Sequence, residues 1–315
     1  MAVARCFVTR KLPGDAIARL ADVHEVELHE AEEPPSRERL LSAVADAEGL
    51  LCLLTEMVDA ELLDAAPGLR AIANMAVGTD NIDLEECRRR GIPVGNTPGV
   101  LTQTTADLAF ALILASARRI CEGAAAVRAG EWRSWEPGGW LGRDVHGATL
   151  GIIGGGAIGR AVARRASGFS MRVLINGGPT APGTSMHVSL DQLLRESDFV
   201  TLHAPLNDRT RGLIGKTALK KMKPTAILVN TARGEIVNTE ALRHALIEGW
   251  IAGAALDVTD PEPLPPDHPL LEAPNLTVVP HIGSASVSTR EAMAEIAVEN
   301  LLAALDGEPM PFAVT

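Results

Sequence analysis

Tyrosine is absent from this 315-residue chain, and Phe and Trp bring the aromatic content to only 3%. The core must therefore be filled by Ala, Leu, Val and Ile. Cysteine is scarce too: Cys6, Cys52, Cys87 and Cys121 are scattered, with no C-x-x-C pair and no obvious base beside any of them. That pattern argues against a disulfide framework or a structural zinc site and suits buried small residues in a reducing cytoplasm. Positive charge is in deficit, with 29 Lys and Arg against 40 Asp and Glu and a net charge of −11. A chain this acidic gains nothing from phosphate backbones or anionic lipid, so neither nucleic acid nor membrane is an expected partner. No apolar run approaches the ~20 residues needed to span a bilayer. Arg5 interrupts what would otherwise read as the start of a signal sequence.

What is present fits a folded protein of two domains: 46% hydrophobic and 22% charged residues, with no repeat and no low-complexity linker. Short apolar runs alternate with longer periodic segments, the mark of β-α-β units and parallel sheets. Strands are expected at Cys6–Thr9, Val23–Leu28, Leu50–Leu53 and Arg70–Asn74, and helices near Gly14–Leu20, Arg37–Ala45 and Ala60–Ala65. The helical pattern from Leu101 to Gly130 is apolar on all sides around Leu108–Ala115 and predicts a helix buried between domains or subunits. A second series of strands follows, at Thr149–Gly154, Met171–Asn176, Asp198–His203, Thr225–Asn230, Ala252–Val258 and Leu276–His281. Helices fit between them at Leu190–Glu196, Lys216–Lys221 and Thr239–Glu248, and a last one at Thr289–Leu305 follows the completed sheet. The expected architecture is two doubly wound, Rossmann-like domains with an active-site cleft between them. Residues 1–99 and 286–315 form a discontinuous substrate-binding domain, and residues 100–285 form a dinucleotide-binding domain.

Gly154-Gly155-Gly156-Ala157-Ile158-Gly159 satisfies G-x-G-x-x-G between a strand and a helix, the context in which the motif signals a dinucleotide site. Gly154 permits the tight turn, Gly156 lets the backbone approach a pyrophosphate, and Gly159 allows close helix–strand packing. The acidic residue expected ~20 positions on, to grip a ribose 2′-hydroxyl, is missing. No Asp or Glu occurs between Arg160 and Asp191, and no Arg or Lys between Arg172 and Arg195. Asn176, Thr180, Thr184 or Ser185 could hydrogen-bond either form of the ribose. The cofactor is therefore NADP or NAD, with weak discrimination and a slight lean to NADPH, because nothing in this loop repels a phosphate.

Three charged or titratable residues follow strands of the second series: Arg233 in N-T-A-R-G, Glu262 in D-P-E-P and His281 in P-H-I-G. Successive strand ends converge on one crevice. A guanidinium fork matches a carboxylate, a histidine suits proton transfer near neutral pH, and a carboxylate beside it fixes its tautomer and favours its protonated form. Singly, each also fits an ordinary role: a surface arginine, a solvated glutamate among prolines, a satisfied histidine. Together with the glycine turn they favour chemistry on a 2-oxo acid.

These segments resemble the D-isomer-specific 2-hydroxyacid dehydrogenases, and the likeness spans nearly the whole chain: Ala76–Asp83, the glycine turn, Asn230–Val237, Gly253–Val258 and Pro280–Ala285. The stretch from Asp257 through the prolines, with the terminal G-E-P-M-P, is most similar to glyoxylate/hydroxypyruvate reductases. The resemblance implies Arg233 as substrate-carboxylate binder, His281 as acid/base and Glu262 as its partner. It also implies that the backbone of Val77 and Gly78 helps bind the carboxylate. Thr105, Ala157, Ile158, Ala204, Pro205, Thr231, Asp257, His281 and Gly283 would line the cofactor, with Asp257 on the nicotinamide carboxamide. NADP-using relatives carry an Arg where this chain has Gly178, and NAD-using relatives an Asp at about Gly177, so the chain departs from both patterns.

Trp132, Trp135 and Trp140 fall within one Gly/Pro-containing loop. They are expected to anchor a homodimer interface, and Trp140 in particular to reach a partner's substrate cleft. His203 is expected to shape the cofactor cleft rather than move protons, and Arg88–Arg90 to end a helix in solvent. No metal site is expected. Rival readings are another chemistry of the same family, such as phosphite oxidation, or a dinucleotide-sensing protein like the corepressors that share this fold.

Overall fold

A computed structural model describes residues 3–179 and 185–315. The chain divides into two compact units, Met1–Leu101 with Ala285–Thr315, and Thr102–Ser284.

The first unit runs β1 (Arg5–Val8), α1 (Ala16–Ala21), β2 (Glu25–Leu28), α2 (Arg37–Val44), β3 (Gly49–Cys52), α3 (Ala60–Ala65), β4 (Ala71–Asn74), α4 (Leu84–Arg90) and β5 (Val94–Gly95). Its strands form one parallel sheet in the order β2-β1-β3-β4-β5. β3 and β4 are buried along their whole length, as a strand covered on both faces must be. Helix starts follow local side-chain chemistry: Ser36, Asp59 and Asp83 each accept a backbone N–H three residues on, worth about 1 kcal/mol apiece. α4 stops at Gly91, which takes the left-handed conformation at φ 71°. The arginines there are not simply solvated: Arg89 and Arg90 both bond Glu86, and Arg90 also reaches Asp64.

The second unit comprises α5 (Thr102–Ala117), α6 (Ile120–Arg128), β6 (Thr149–Ile153), α7 (Ala157–Ser167), β7 (Arg172–Asn176), β8 (Ser185–His187), α8 (Leu190–Glu196), β9 (Phe199–Leu202), α9 (Lys216–Leu219), β10 (Ile227–Asn230), α10 (Thr239–Ile247), β11 (Gly253–Leu256) and β12 (Leu276–Val278). Its seven-stranded sheet is parallel throughout, in the order β12-β11-β10-β9-β6-β7-β8. The strand order reverses between β6 and β9, the switch point where an open α/β sheet places its ligand. α11 (Val287–Leu305) follows the second unit and packs on α1, β3 and β4 of the first.

Three features differ from the sequence reading. The apolar pattern from Leu101 to Gly130 is two helices, because Arg119 takes φ 53° and breaks the helical ladder between α5 and α6. α5 itself is buried against α7, β10 and β11 of its own unit. β5 and β8 were not expected: each is very short, and Pro93–Gly95 reads as a turn until β4 supplies a partner. Cys6, Cys52 and Cys87 are buried, but Cys121 is exposed on α6, where the helix turns that face to solvent. Burial pushes the Cys6 and Cys87 thiols up to about 12 and about 11, so these two are packing residues, not nucleophiles. Among the described residues no helix is long and apolar enough to cross a membrane.

Candidate active site

The glycine turn sits at the switch point. Gly154 has φ 103°, and a side chain there would strike the backbone of His203 and Ala204 at 2.5 Å. The turn after β6 is thus pressed against the end of β9. Gly159 faces the Gly154 carbonyl so closely that a Cβ would lie 2.0 Å from it. Gly156 has nothing within 4 Å of its Cβ position and stands at the start of α7 without a side-chain cap. Open space beside uncapped helix amides, followed by Ala157 and Ile158 in the first turn, is what a pyrophosphate requires. The residues present therefore fit a dinucleotide.

At the end of β7, Gly154 N–H bonds the Asn176 carbonyl at 2.8 Å and Gly155 N–H bonds the Gly177 carbonyl at 2.6 Å. The Asn176 side chain donates to the Val188 carbonyl at 3.0 Å, so its amide is engaged along the sheet. Ser185 begins β8, whereas Thr180 and Thr184 lie outside the described residues. Gly177 and Gly178 both take φ 76°. Arg160, which the sequence reading passed over, donates to the Gly155 carbonyl at 2.9 Å, and Gly155 packs against the carbonyls of Gly177 and Pro179. His187 bonds the Gly178 carbonyl at 2.6 Å. The loop is blank in sequence, and the cation nearest to it in the chain's bonding is Arg160, tied to the Gly155 carbonyl of the glycine turn. Arg160 lies a full strand earlier in the chain, and only helix periodicity, bringing it one turn above Gly156, could have flagged it.

Arg233, Glu262 and His281 do gather. Asn230, fully buried at the end of β10, clamps the arginine's backbone from both sides: its side chain accepts from Ala232 N–H at 3.0 Å and donates to the Arg233 carbonyl at 2.8 Å. Gly234 then abuts Thr259 so tightly that a Cβ would be 1.9 Å from the Thr259 carbonyl, which joins the arginine loop to the glutamate loop. Glu262 is held by Thr259 N–H at 3.2 Å and meets His281 Nδ1 at 2.5 Å. Burial alone would raise the Glu262 carboxyl, but the His281 contact, Thr259 N–H and the Arg233 charge outweigh it and hold the group below its ordinary value. The carboxylate therefore fixes a proton on Nδ1 and leaves Nε2 as the reactive nitrogen. His281 itself sits at φ 51°, with its N–H shared between the carbonyls of Asp257 and Val279.

Asp257 accepts from Ile282 N–H at 2.6 Å and Gly283 N–H at 2.9 Å. Burial nonetheless pushes its carboxyl above the usual range. A Cβ on Gly283 would lie 3.0 Å from that carboxylate and 3.5 Å from Thr105, so Thr105, Asp257 and Gly283 meet at one point. Both nitrogens of His203 face hydroxyls, Nε2 that of Thr201 at 3.0 Å and Nδ1 that of Thr231 at 3.3 Å, and desolvation drives its pKa down to about 3. A ring that stays neutral there is a spacer, not a proton carrier. Pro205 follows Ala204 and accepts the Thr210 hydroxyl through its carbonyl. Trp140 is half exposed with the Arg119 guanidinium 5.2 Å above its ring, and Trp132 and Trp135 are exposed. Among the described residues no cluster of His, Cys, Asp and Glu could hold a metal ion.

Residues 110–283 match the family model for the NAD binding domain of D-isomer specific 2-hydroxyacid dehydrogenases. A glyoxylate reductase of Korarchaeum cryptofilum is 50% identical over 98% of this chain and 94% of its own. A crystal structure of a protein from Thermus thermophilus superposes with a TM-score of 0.94 at 52% identity, covering 99% of this chain and all of that one. The NADPH-dependent glyoxylate/hydroxypyruvate reductase of Sinorhizobium meliloti, solved with NADP and malonate, gives 0.85 at 31% identity, covering all of this chain and 97% of that one. On this likeness and on the geometry of its glycine turn, the chain belongs to the D-isomer specific 2-hydroxyacid dehydrogenase family.

Proposed function

We propose that the protein reduces small 2-oxo acids, glyoxylate and hydroxypyruvate foremost, to D-2-hydroxy acids with NAD(P)H. The observation that carries this reading is the Glu262–His281 contact at 2.5 Å with Arg233 on the adjoining loop. Arg233 forks the substrate carboxylate and polarises the C2 carbonyl. The backbone amides of Val77 and Gly78 are further donors for a substrate carboxylate. A reduced nicotinamide, when bound, would supply the hydride to C2. His281 delivers the proton from Nε2 to the carbonyl oxygen, and Glu262 balances its charge before transfer. Asp257, beside Thr105 and Gly283, would hold the carboxamide, while Thr231, Ala204 and Pro205 would line the cofactor's edge.

Both cofactors are accepted, with a lean to NADPH. No acid stands at Gly177 or Gly178 to repel a 2′-phosphate, and the Arg160 guanidinium supports one from the Gly155 side. The Sinorhizobium relative, solved with NADP, supports the same lean. We place the protein in the cytoplasm as a homodimer joined through the exposed Ile120, Val127, Trp132, Trp135 and Leu141, with Trp140 reaching the partner's substrate. The test is NADH and NADPH oxidation against a panel of 2-oxo acids, with phosphite as the oxidative control. Tight NAD(P)H binding without turnover of any of them would replace the enzyme by a dinucleotide sensor.

A further inference from the structure

The loop after β4 carries an arrangement of its own, built wholly within the first unit. Three successive carbonyls point into the protein. That of Ala76 accepts from Thr97 N–H at 2.9 Å, that of Val77 from Asn96 Nδ2 at 2.8 Å, and that of Gly78 from Asn74 Nδ2 at 3.0 Å. A trans peptide is planar, with its N–H directed opposite to its C=O. Drawing in the carbonyls of Ala76, Val77 and Gly78 therefore turns the N–H groups of Val77, Gly78 and Thr79 outward. Among the described residues, none of these three amides donates to another group of the chain. Successive outward amides form an anion-binding concavity.

The asparagines that hold the carbonyls are themselves held. Asn74 is fully buried and also bonds Asn81, whose own amide ties down the carbonyls of Leu53 and Glu56 after β3. Asn96 offers its carbonyl to Asn300 Nδ2 at 2.9 Å, and Asn300, fully buried on α11, accepts Phe312 N–H at 2.9 Å. Room for Asn300 comes from Gly95, where any Cβ would lie 2.7 Å from the asparagine's side chain. Buried amides with such complete partners fix one backbone conformation.

We propose that Asn74, Asn96 and Asn300 are positioning residues: they hold the carbonyls of Val77 and Gly78 inward so that the amides of Val77, Gly78 and Thr79 are preset as a three-donor cradle for the substrate carboxylate. The inference rests on the reading that the Val77 and Gly78 amides bind that carboxylate. It adds a third donor, Thr79 N–H, and names what orients all three.

The experiment has two arms. In the wild-type holoenzyme with saturating NADPH, hydrogen exchange at the amides of Val77, Gly78 and Thr79 should slow when oxamate, a 2-oxo acid analogue, is added. Absence of protection would overturn the carboxylate reading itself. In the second arm, Asn96→Asp keeps the shape but loses the donor to Val77. It should raise the KM for glyoxylate and the Ki for oxamate about tenfold, roughly 1.4 kcal/mol, with kcat and the Kd for NADPH changed less than threefold. Asn300→Asp, one bond further back, should act in the same direction by about threefold. Protection in the first arm with an unchanged KM in both variants refutes the asparagine relay alone. A parallel loss of kcat, KM and NADPH affinity, tracking a lowered Tm, also refutes it by reducing the asparagines to packing. Should Asn96→Asp not fold, Asn300→Asp decides.

Discussion

His203 makes the protein acid-sensitive in a way that can be measured. Its ring nitrogens are turned to the hydroxyls of Thr201 and Thr231, and desolvation lowers its pKa from 6.5 to about 3. In the unfolded chain the imidazole takes up a proton once the pH falls below about 6.5. In the folded chain it does not do so until about pH 3. Between those values the unfolded state binds more protons, so stability is lost as pH falls. pH 5 lies 1.5 below the unfolded value of 6.5 and well above the folded one, which at 1.36 kcal/mol per unit amounts to about 2 kcal/mol. Replacing the ring by a side chain that cannot titrate, His203→Gln, removes that component. All four tryptophans lie in the second unit, which also contains His203, so their fluorescence reports the unfolding of the right part of the chain. Urea melts of wild type and variant at pH 7.5 and pH 5 should show the stability gap closing by about 2 kcal/mol in the variant's favour at pH 5. If both proteins lose stability in parallel, the ring is not held neutral by burial and the reasoning fails.

Arg233→Lys should lower kcat/KM for glyoxylate at least tenfold while NADPH affinity stays within threefold, because a point charge replaces one of two charge-assisted bonds worth roughly 1.5–3 kcal/mol. Near-wild-type turnover would remove the bidentate role. Glu262→Gln should lower kcat for glyoxylate reduction at least tenfold with NADPH affinity within threefold, since Nδ1 loses the carboxylate that fixes its proton. Near-wild-type turnover would show that the 2.5 Å contact is structural only. Gly177→Asp should move the kcat/KM ratio toward NADH by about tenfold or more. Aspartate tolerates a positive φ, and nothing lies within 4 Å of its Cβ. Gly178→Arg is a poorer probe, because its Cβ would press on the Gly155 backbone at 3.1 Å. No shift with Gly177→Asp would mean that the ribose is read elsewhere.

The parts of the site legible in the sequence were those written in a short stretch. The turn from Gly154 to Gly159 lies between a strand and a helix in six consecutive residues. Arg233, Glu262 and His281 each follow an apolar run directly, so the sheet's topology brings them together. Helix starts at Ser36, Ser189 and Asn238 were readable from the residue type that caps them. What escaped depends on distance in space. Arg160 looks like one more surface arginine until its guanidinium is seen on the Gly155 carbonyl. Asn74 and Asn96 look like turn residues after strands, and Asn300 is one polar residue in an apolar helix; only burial links them. The break at Arg119 escaped because apolar periodicity runs through it on both sides.

The order in which the chain visits its two units has a consequence during synthesis. β3 and β4 are covered on one side by α11, a helix made only after the second unit. The second unit, Thr102–Ser284, is complete before any of that helix exists. At the ribosome's ~5–20 residues per second, the roughly 180 intervening residues keep an apolar sheet face waiting some ten to forty seconds. The unit that begins first is therefore completed only after the second, and its sheet face stays uncovered until α11 arrives.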